Sequence, residues 1–139
     1  MKTVADLIAA VNAKLAENFP DIDIRSTDLD KHPEKCFCTE YTANRDGTPD
    51  FVHDSGRITL FYFPEDGKVN RVELVDMQAK LSQVFTYRLE LDDDFAVPVV
   101  NLNFTLEDDV LVMEFDFDMY QRVDNEKDIV TMENIELQE

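Results

Sequence analysis

Between Val112 and Tyr120 the chain alternates without a slip: Met113, Phe115, Phe117 and Met119 are apolar, and Glu114, Asp116 and Asp118 between them are acidic. Successive side chains on a strand point to opposite faces, so this stretch specifies a strand with one buried side and one wet side. Any fold for this chain must offer a sheet with an apolar face here and a layer to cover it. Three carboxylates in a row also repel one another, by up to about 1 kcal/mol per exposed neighbouring pair. Two explanations fit: a solvent face compensated by lysines on the next strand, or a wet surface whose charge is useful, such as the wall of a channel that passes DNA. Glu114, Asp116 and Asp118 are therefore the candidate acidic channel or wet face.

The neighbouring segments supply the sheet. Phe95 to Leu106 places Val100, Leu102, Phe104 and Leu106 against Asn101, Asn103 and Thr105, and the acidic turn Glu107-Asp108-Asp109 leads into Val110 to Val123. The pair reads as a β-hairpin of two long strands. Arg57 to Phe63 is apolar on both sides, with Ile58, Leu60 and Tyr62 opposing Thr59, Phe61 and Phe63. That suits a central strand with helices on one face and a partner on the other. Pro64-Glu65-Asp66-Gly67 then marks a turn. Ile22 to Arg25 and Cys36 to Ala43 read as strands separated by a polar stretch with a turn at Pro33. Asn44 to Gly56 is the longest loop expected, because it holds two of the three glycines, a proline and no sustained period. Its apolar pair, Phe51 and Val52, either tucks back onto the domain or forms a contact arm; it is the candidate inter-subunit loop.

Two helices supply the cover. Val4, Leu7, Ile8, Val11 and Leu15 form a stripe at helical spacing. Thr3 and Asp6 resemble a capping box at its start, and Pro20 ends it by Phe19. From about Val69 to Phe85, Leu74, Met77, Leu81, Val84 and Phe85 fall on one face. The expected fold is α+β: a mainly antiparallel sheet packed against two amphipathic helices. Residues 1–123 read as a single domain at this length, followed by an acidic C-terminal extension, 124–139, with a strand-like stretch from Asn134 to Leu137. The N-terminus, with Asp6 inside what would be an apolar region, reads as the start of the domain rather than a targeting segment. No run approaches the length of a membrane span.

Charge narrows the function. Thirty-one Asp and Glu against thirteen Lys and Arg leave a formal net charge of −18. Such a chain repels phosphate backbones, which argues against a protein that grips DNA and is compatible with one that sits beside it. Carboxylates are too numerous for any pair to single out acid–base chemistry, and no nucleophile elbow, phosphate-cradling glycine loop or zinc-protease motif is present. Asp21-Ile22-Asp23 and Asp92-Asp93-Asp94 lack the frame of a calcium loop. Cys36 and Cys38 are too close on a strand for an unstrained bridge, and their spacing to His32 and His53 matches no zinc pattern. No catalytic residue, metal site or cofactor is expected.

Taken in order, these segments resemble the tail terminator (tail completion) proteins of long-tailed phages and related prophages of Gram-positive bacteria. The likeness runs from the first helix, Leu7 to Phe19, through Asp21 to Ser26 and Cys36-Phe37-Cys38, to Met132–Leu137. Its most specific piece is Arg57-Ile58-Thr59-Leu60-Phe61-Tyr62-Phe63-Pro64, and its closing piece runs from Asp109-Val110-Leu111-Val112 to Phe115, Phe117 and Tyr120. Where the family tends to place glycine in the last hairpin, this chain has Asp108-Asp109. The resemblance implies a tail-terminator-like fold and a structural, non-enzymatic virion protein of the tail and neck, assembled in the host cytoplasm. It implies a homo-hexameric ring that caps the tail tube, halts its polymerisation and offers a docking surface for the head. The implied partners are other copies, the tail tube protein, a head–tail connector or neck protein, and the sheath protein if the tail is contractile. DNA would pass through without specific binding, and no cofactor or membrane is involved. Two rivals stand beside it: a head–tail connector of the same particle, and a soluble acidic inhibitor or DNA mimic that binds a basic partner as a monomer or dimer.

Overall fold

The structure is a computed structural model and describes residues 1–25, 35–64 and 71–123. Helix α1, Val4–Asn18, opens on the cap expected for it. The Asp6 backbone N–H donates to the Thr3 hydroxyl at 3.3 Å, and the Thr3 N–H donates to the Asp6 carboxylate at 2.8 Å. Those bonds satisfy donors that the first turn cannot pair internally and hold the Asp6 carboxyl below its usual range, the bond from the Thr3 backbone first. Leu7, Val11 and Leu15 are fully buried, and the Phe19 N–H closes the last turn on the Leu15 carbonyl. Helix α2, Arg71–Val84, buries Leu74, Met77 and Leu81, with Phe85 buried just past its end.

Both helices lie on one face of a five-stranded sheet. Its strands are β1 (Asp23–Arg25), β2 (Cys36–Gly47), β3 (Phe51–Phe63), β6 (Val100–Glu107) and β7 (Val110–Arg122), in the order β1-β2-β3-β7-β6. All its pairings are antiparallel except β1 with β2, which is parallel. In the β3–β7 ladder Ile58 faces Phe115, Leu60 faces Met113 and Tyr62 faces Leu111. All six are essentially inaccessible and share one core with the helix residues. The fold is the α+β class expected, and β7 shows the alternation read from its sequence. Among the buried polar groups, the Tyr62 hydroxyl donates to Glu73 of α2 at 2.7 Å, tying the helix to the central strand.

A second, two-stranded ribbon was not expected. Strands β4 (Arg88–Asp92) and β5 (Phe95–Pro98) pair with each other and send Leu89 and Val97 into the core. The single strand expected from Phe95 to Leu106 is therefore two. Pro98 offers no N–H to continue a ladder, and the chain leaves the ribbon there to join β7 from Val100 onward. The β6–β7 turn is the tight one expected: Asp108 and Asp109 take φ of 48° and 65°, the positive values a two-residue turn of this hand needs. Aspartate tolerates that region better than most residues, which accounts for an Asp pair where glycine would serve.

The largest departure is the expected loop from Asn44 to Gly56. It is instead the far half of a hairpin, with β2 running unbroken to Gly47 and β3 resuming at Phe51. Only Thr48, Pro49 and Asp50 turn; Thr48 and Phe51 exchange backbone hydrogen bonds of 2.9 and 3.3 Å. Strands of twelve and thirteen residues reach about 40 Å at the usual rise, whereas helices of fifteen and fourteen residues reach only about 22 Å. The helix layer thus covers one half of the hairpin, and every residue of β2 from Glu40 to Gly47 is exposed. The turns expected at Pro33 and Glu65–Gly67, the first residues of the second helix, His32 and the extension 124–139 lie outside the described residues.

Candidate assembly surfaces

The face of the sheet turned away from the helices carries the carboxylate row. In β7, Glu114 and Asp116 are half-buried and Asp118 is exposed, alternating with core residues as the sequence requires. The row is compensated by β3, though not by lysine. Arg57 lies between two of the acids, its Nε donating to Asp116 at 3.0 Å and its Nη1 to Glu114 at 3.2 Å. His53 Nε2 meets Asp118 at 2.8 Å and its Nδ1 lies 3.4 Å from Asp46 of β2. The His53 ring also stacks on Tyr120, with centroids 4.0 Å apart and planes within 3°. From β6, the Asn101 amide donates to Asp116 at 3.1 Å. That bond, followed by Arg57, holds the Asp116 carboxyl below the usual range. By register Glu40 and Arg122 share this face, so its acids still outnumber its cations.

The hydrogen bond to Asp118 raises the pKa of His53 above the ordinary imidazole value, with Asp46 adding to the effect and partial burial opposing it. A histidine raised in this way contributes stability that is fully present below its unfolded value and lost as pH rises through the folded one. In an NMR titration His53 should titrate above the ordinary imidazole value, and Asp118→Asn should bring it back toward that value. A His53 titration unchanged by Asp118→Asn would break the assignment.

Phe51 and Val52 are strand residues, which corrects the loop expected for them. Phe51 pairs across from Arg122 at the tip of the hairpin and is 51% exposed; Val52 faces Gly47 on one side and Gln121 on the other. Beside them, on the helix side, Arg45 holds the buried Asp54 carboxylate with two bonds of 2.8 and 3.1 Å. Gln121 anchors the N-terminus: its side chain accepts from the Lys2 N–H at 2.7 Å and donates to the Lys2 carbonyl at 2.6 Å. Sequence reasoning missed Arg45, Asp54 and the His53–Tyr120 stack; Tyr41 falls inside the strand expected from Cys36 to Ala43, with its side chain exposed. No local signal marked Arg45 and Asp54, because the stretch from Asn44 to Gly56 carries no sustained apolar period.

The structure does not bring the cysteines and His53 together. Cys36 pairs with Phe63, ten residues along β3 from His53. Both thiols are buried, outside any disulfide, and pushed up in pKa by burial. Among the described residues no group of three or more His, Cys, Asp or Glu is arranged to hold a metal ion, and no helix is long and apolar enough to cross a membrane.

Residues 6–129 match the family model described as phage tail terminator protein. The chain belongs to the phage tail terminator family. Comparison with curated proteins gave no match. Tail terminators are structural components of the phage tail that act in its completion, so the surfaces above are those of an assembly protein.

Proposed function

We propose that this terminator acts as a closed homo-hexameric ring that caps the tail tube, stops its polymerisation and presents a docking surface to the head. Its partners are further copies of itself, the tail tube protein, a head–tail connector or neck protein and, in a contractile tail, the sheath. It works in the virion, between tail and neck, after assembly in the host cytoplasm, and makes or breaks no bond. The reading is carried by one observation: the family match spans all of the described sheet, whose carboxylate row lies on the face opposite the helices. The face opposite the helices, with Glu114, Asp116 and Asp118, is the side we assign to the bore. Its excess of carboxylates repels DNA phosphates, while Arg57 and His53 relieve repulsion among the acids. Phe51 and Val52, at the hairpin tip, are assigned to contact with a neighbour. Residues 1–123 are assigned to one domain and 124–139 to an acidic extension.

Negative-stain micrographs of the purified chain, alone and with tail tube protein, should show six-fold rings seated on tube ends. A monomer that never associates with tubes at high concentration would refute the reading. Rings of Glu114→Gln/Asp116→Asn/Asp118→Asn should still form, with stability changed by about 1 kcal/mol or less, since the lost pairs are exposed or half-exposed. These rings should retain duplex DNA at low salt where wild-type rings release it. Equal release by both would remove the role assigned to the row.

A further inference from the structure

The sheet has an open edge that the ring reading does not by itself explain. Strand β1 pairs with β2 only from Cys36 to Cys38, and among the described residues nothing pairs with the outer side of β2 beyond that. Thr48 and Phe51 exchange both backbone bonds, and an antiparallel ladder alternates bonded and non-bonded pairs from that point. The N–H and C=O of Tyr41, Ala43, Arg45 and Gly47 therefore point away from β3, along the open edge. Proteins normally blunt such an edge with charged side chains, proline, a bulge or a cover. Among the described residues this one is a regular ladder with no proline, bulge or cover, exposed on both faces, and two of its charges, Arg45 and Asp46, are already paired within the sheet to Asp54 and His53.

The opposite edge of the sheet is β6. It is eight residues long, matching the eight exposed residues of β2. From Val100 to Leu106 it has no ionisable side chain, in a chain where 32% of residues are charged. Two copies at −18 each repel over most of their surfaces, so a charge-free edge is where one copy can approach another closely. The two edges also match in side. Tyr41 lies across from Ile58 and Leu106 across from Leu111, so both point to the helix face; they are 55% and 41% exposed. In β6 the tight turn makes Glu107 and Val110 a bonded pair, which turns the backbone groups of Leu106 and Phe104 outward.

The geometry points to β6 of one copy adding as an antiparallel strand to the open β2 edge of the next, with Leu106 beside Tyr41 and Phe104 beside Ala43. This inference rests on the ring reading and supplies its contact. The contact is head-to-tail, two different patches meeting, as a closed ring demands. Along the sheet, β2 and β6 run in opposite directions, so rotation about the ring axis brings them together antiparallel; Leu106 is level with Phe37 through Leu111 and Tyr62, four residues short of Tyr41, so the pairing closes with the strands tilted to that axis, as in a barrel. Strand β1 sets the limit of the overlap at Cys38, and the irregular register between Val100 and Asn103 confines regular pairing to the Asn103 end of β6. The sheets then join into one closed wall with the bulkier helices outside.

Two variants test it, with assembly followed by light scattering and micrographs. Ala43→Pro removes a donor from the open edge without touching a bond to β3, and should weaken ring assembly roughly tenfold or more while leaving the circular dichroism spectrum of the monomer unchanged. Tyr41→Cys/Leu106→Cys, treated with a short bis-maleimide as assembled rings, should give a ladder of covalent oligomers that neither single variant gives. Rings that form with Ala43→Pro as readily as with wild type, or double-cysteine rings that yield only monomer on a denaturing gel, would overturn the edge pairing and leave the ring reading intact. A wild-type chain that forms no ring, alone or on tubes, would overturn both.

Discussion

Gly56→Val should lower stability by about 3 kcal/mol, near the top of the range for single substitutions, and with it the melting temperature by about 10 °C. Gly56 sits in the middle of β3, across from Ala43 of β2 and Phe117 of β7. A Cβ there would run into the Thr42 carbonyl oxygen and stand 2.8 Å from the Ala43 Cα. Both are backbone atoms of the neighbouring strand, so no side chain can swing away to make room. The two strands would have to separate at the point where the hairpin leaves the cover of the helices. The variant should therefore lose ring assembly even at temperatures where its core remains folded. A thermal melt indistinguishable from wild type would show that β2 and β3 do not approach this closely.

Phe115→Ala should cost about 3–5 kcal/mol, a large part of the roughly 5–15 kcal/mol that holds a domain together. The Phe115 ring is wholly buried and packs on Phe85, with centroids 6.4 Å apart and planes 22° from parallel. It bridges β7 to the end of α2, and truncation leaves a cavity that the surrounding strands cannot fill by local adjustment. Asp116→Asn, one residue further on, should cost about 1 kcal/mol or less, because its partners Arg57 and Asn101 lie on the exposed face. The contrast between adjacent positions measures the sheet's sidedness directly. Chemical denaturation of the two variants should separate them by several-fold in lost stability; equal losses would mean that β7 is covered on both faces.

Gly56 and Phe115 belong to the two halves of the same hairpin system. Near the helices, stability comes from burial of apolar side chains such as Ile58, Leu60 and Phe115. Beyond them, the arm from Glu40 to Arg57 depends on backbone pairing and on a few polar links, Arg45 to Asp54 and His53 to Asp118 among them. An assembly protein gains from that division. In the proposed ring, the helix-covered half supplies the apolar core and the arm offers the backbone groups of Tyr41, Ala43, Arg45 and Gly47 to the next copy.

What sequence alone determined is what local chemistry dictates. The Thr3–Asp6 cap and the Leu7, Val11, Leu15 stripe made α1; the Met113-to-Met119 alternation made β7; the Asp108-Asp109 turn joined it to β6. The ordered run of these segments also resembles the tail terminator family, whose model matches residues 6–129. Tertiary structure alone decided the rest. Apart from Phe51 and Val52, the residues from Asn44 to Gly56 are polar, glycine or proline, so no apolar period marks them as strand; their extended form comes from pairing with each other and with β7. Gly56 read as a loop signal and proved to be a close-approach position. The cations that compensate the carboxylate row come from 59 and 65 residues away, and Gln121 meets Lys2 across 119. Separations of that size are set by which strands become neighbours, a choice made by burial of the whole core and invisible to any local window of sequence.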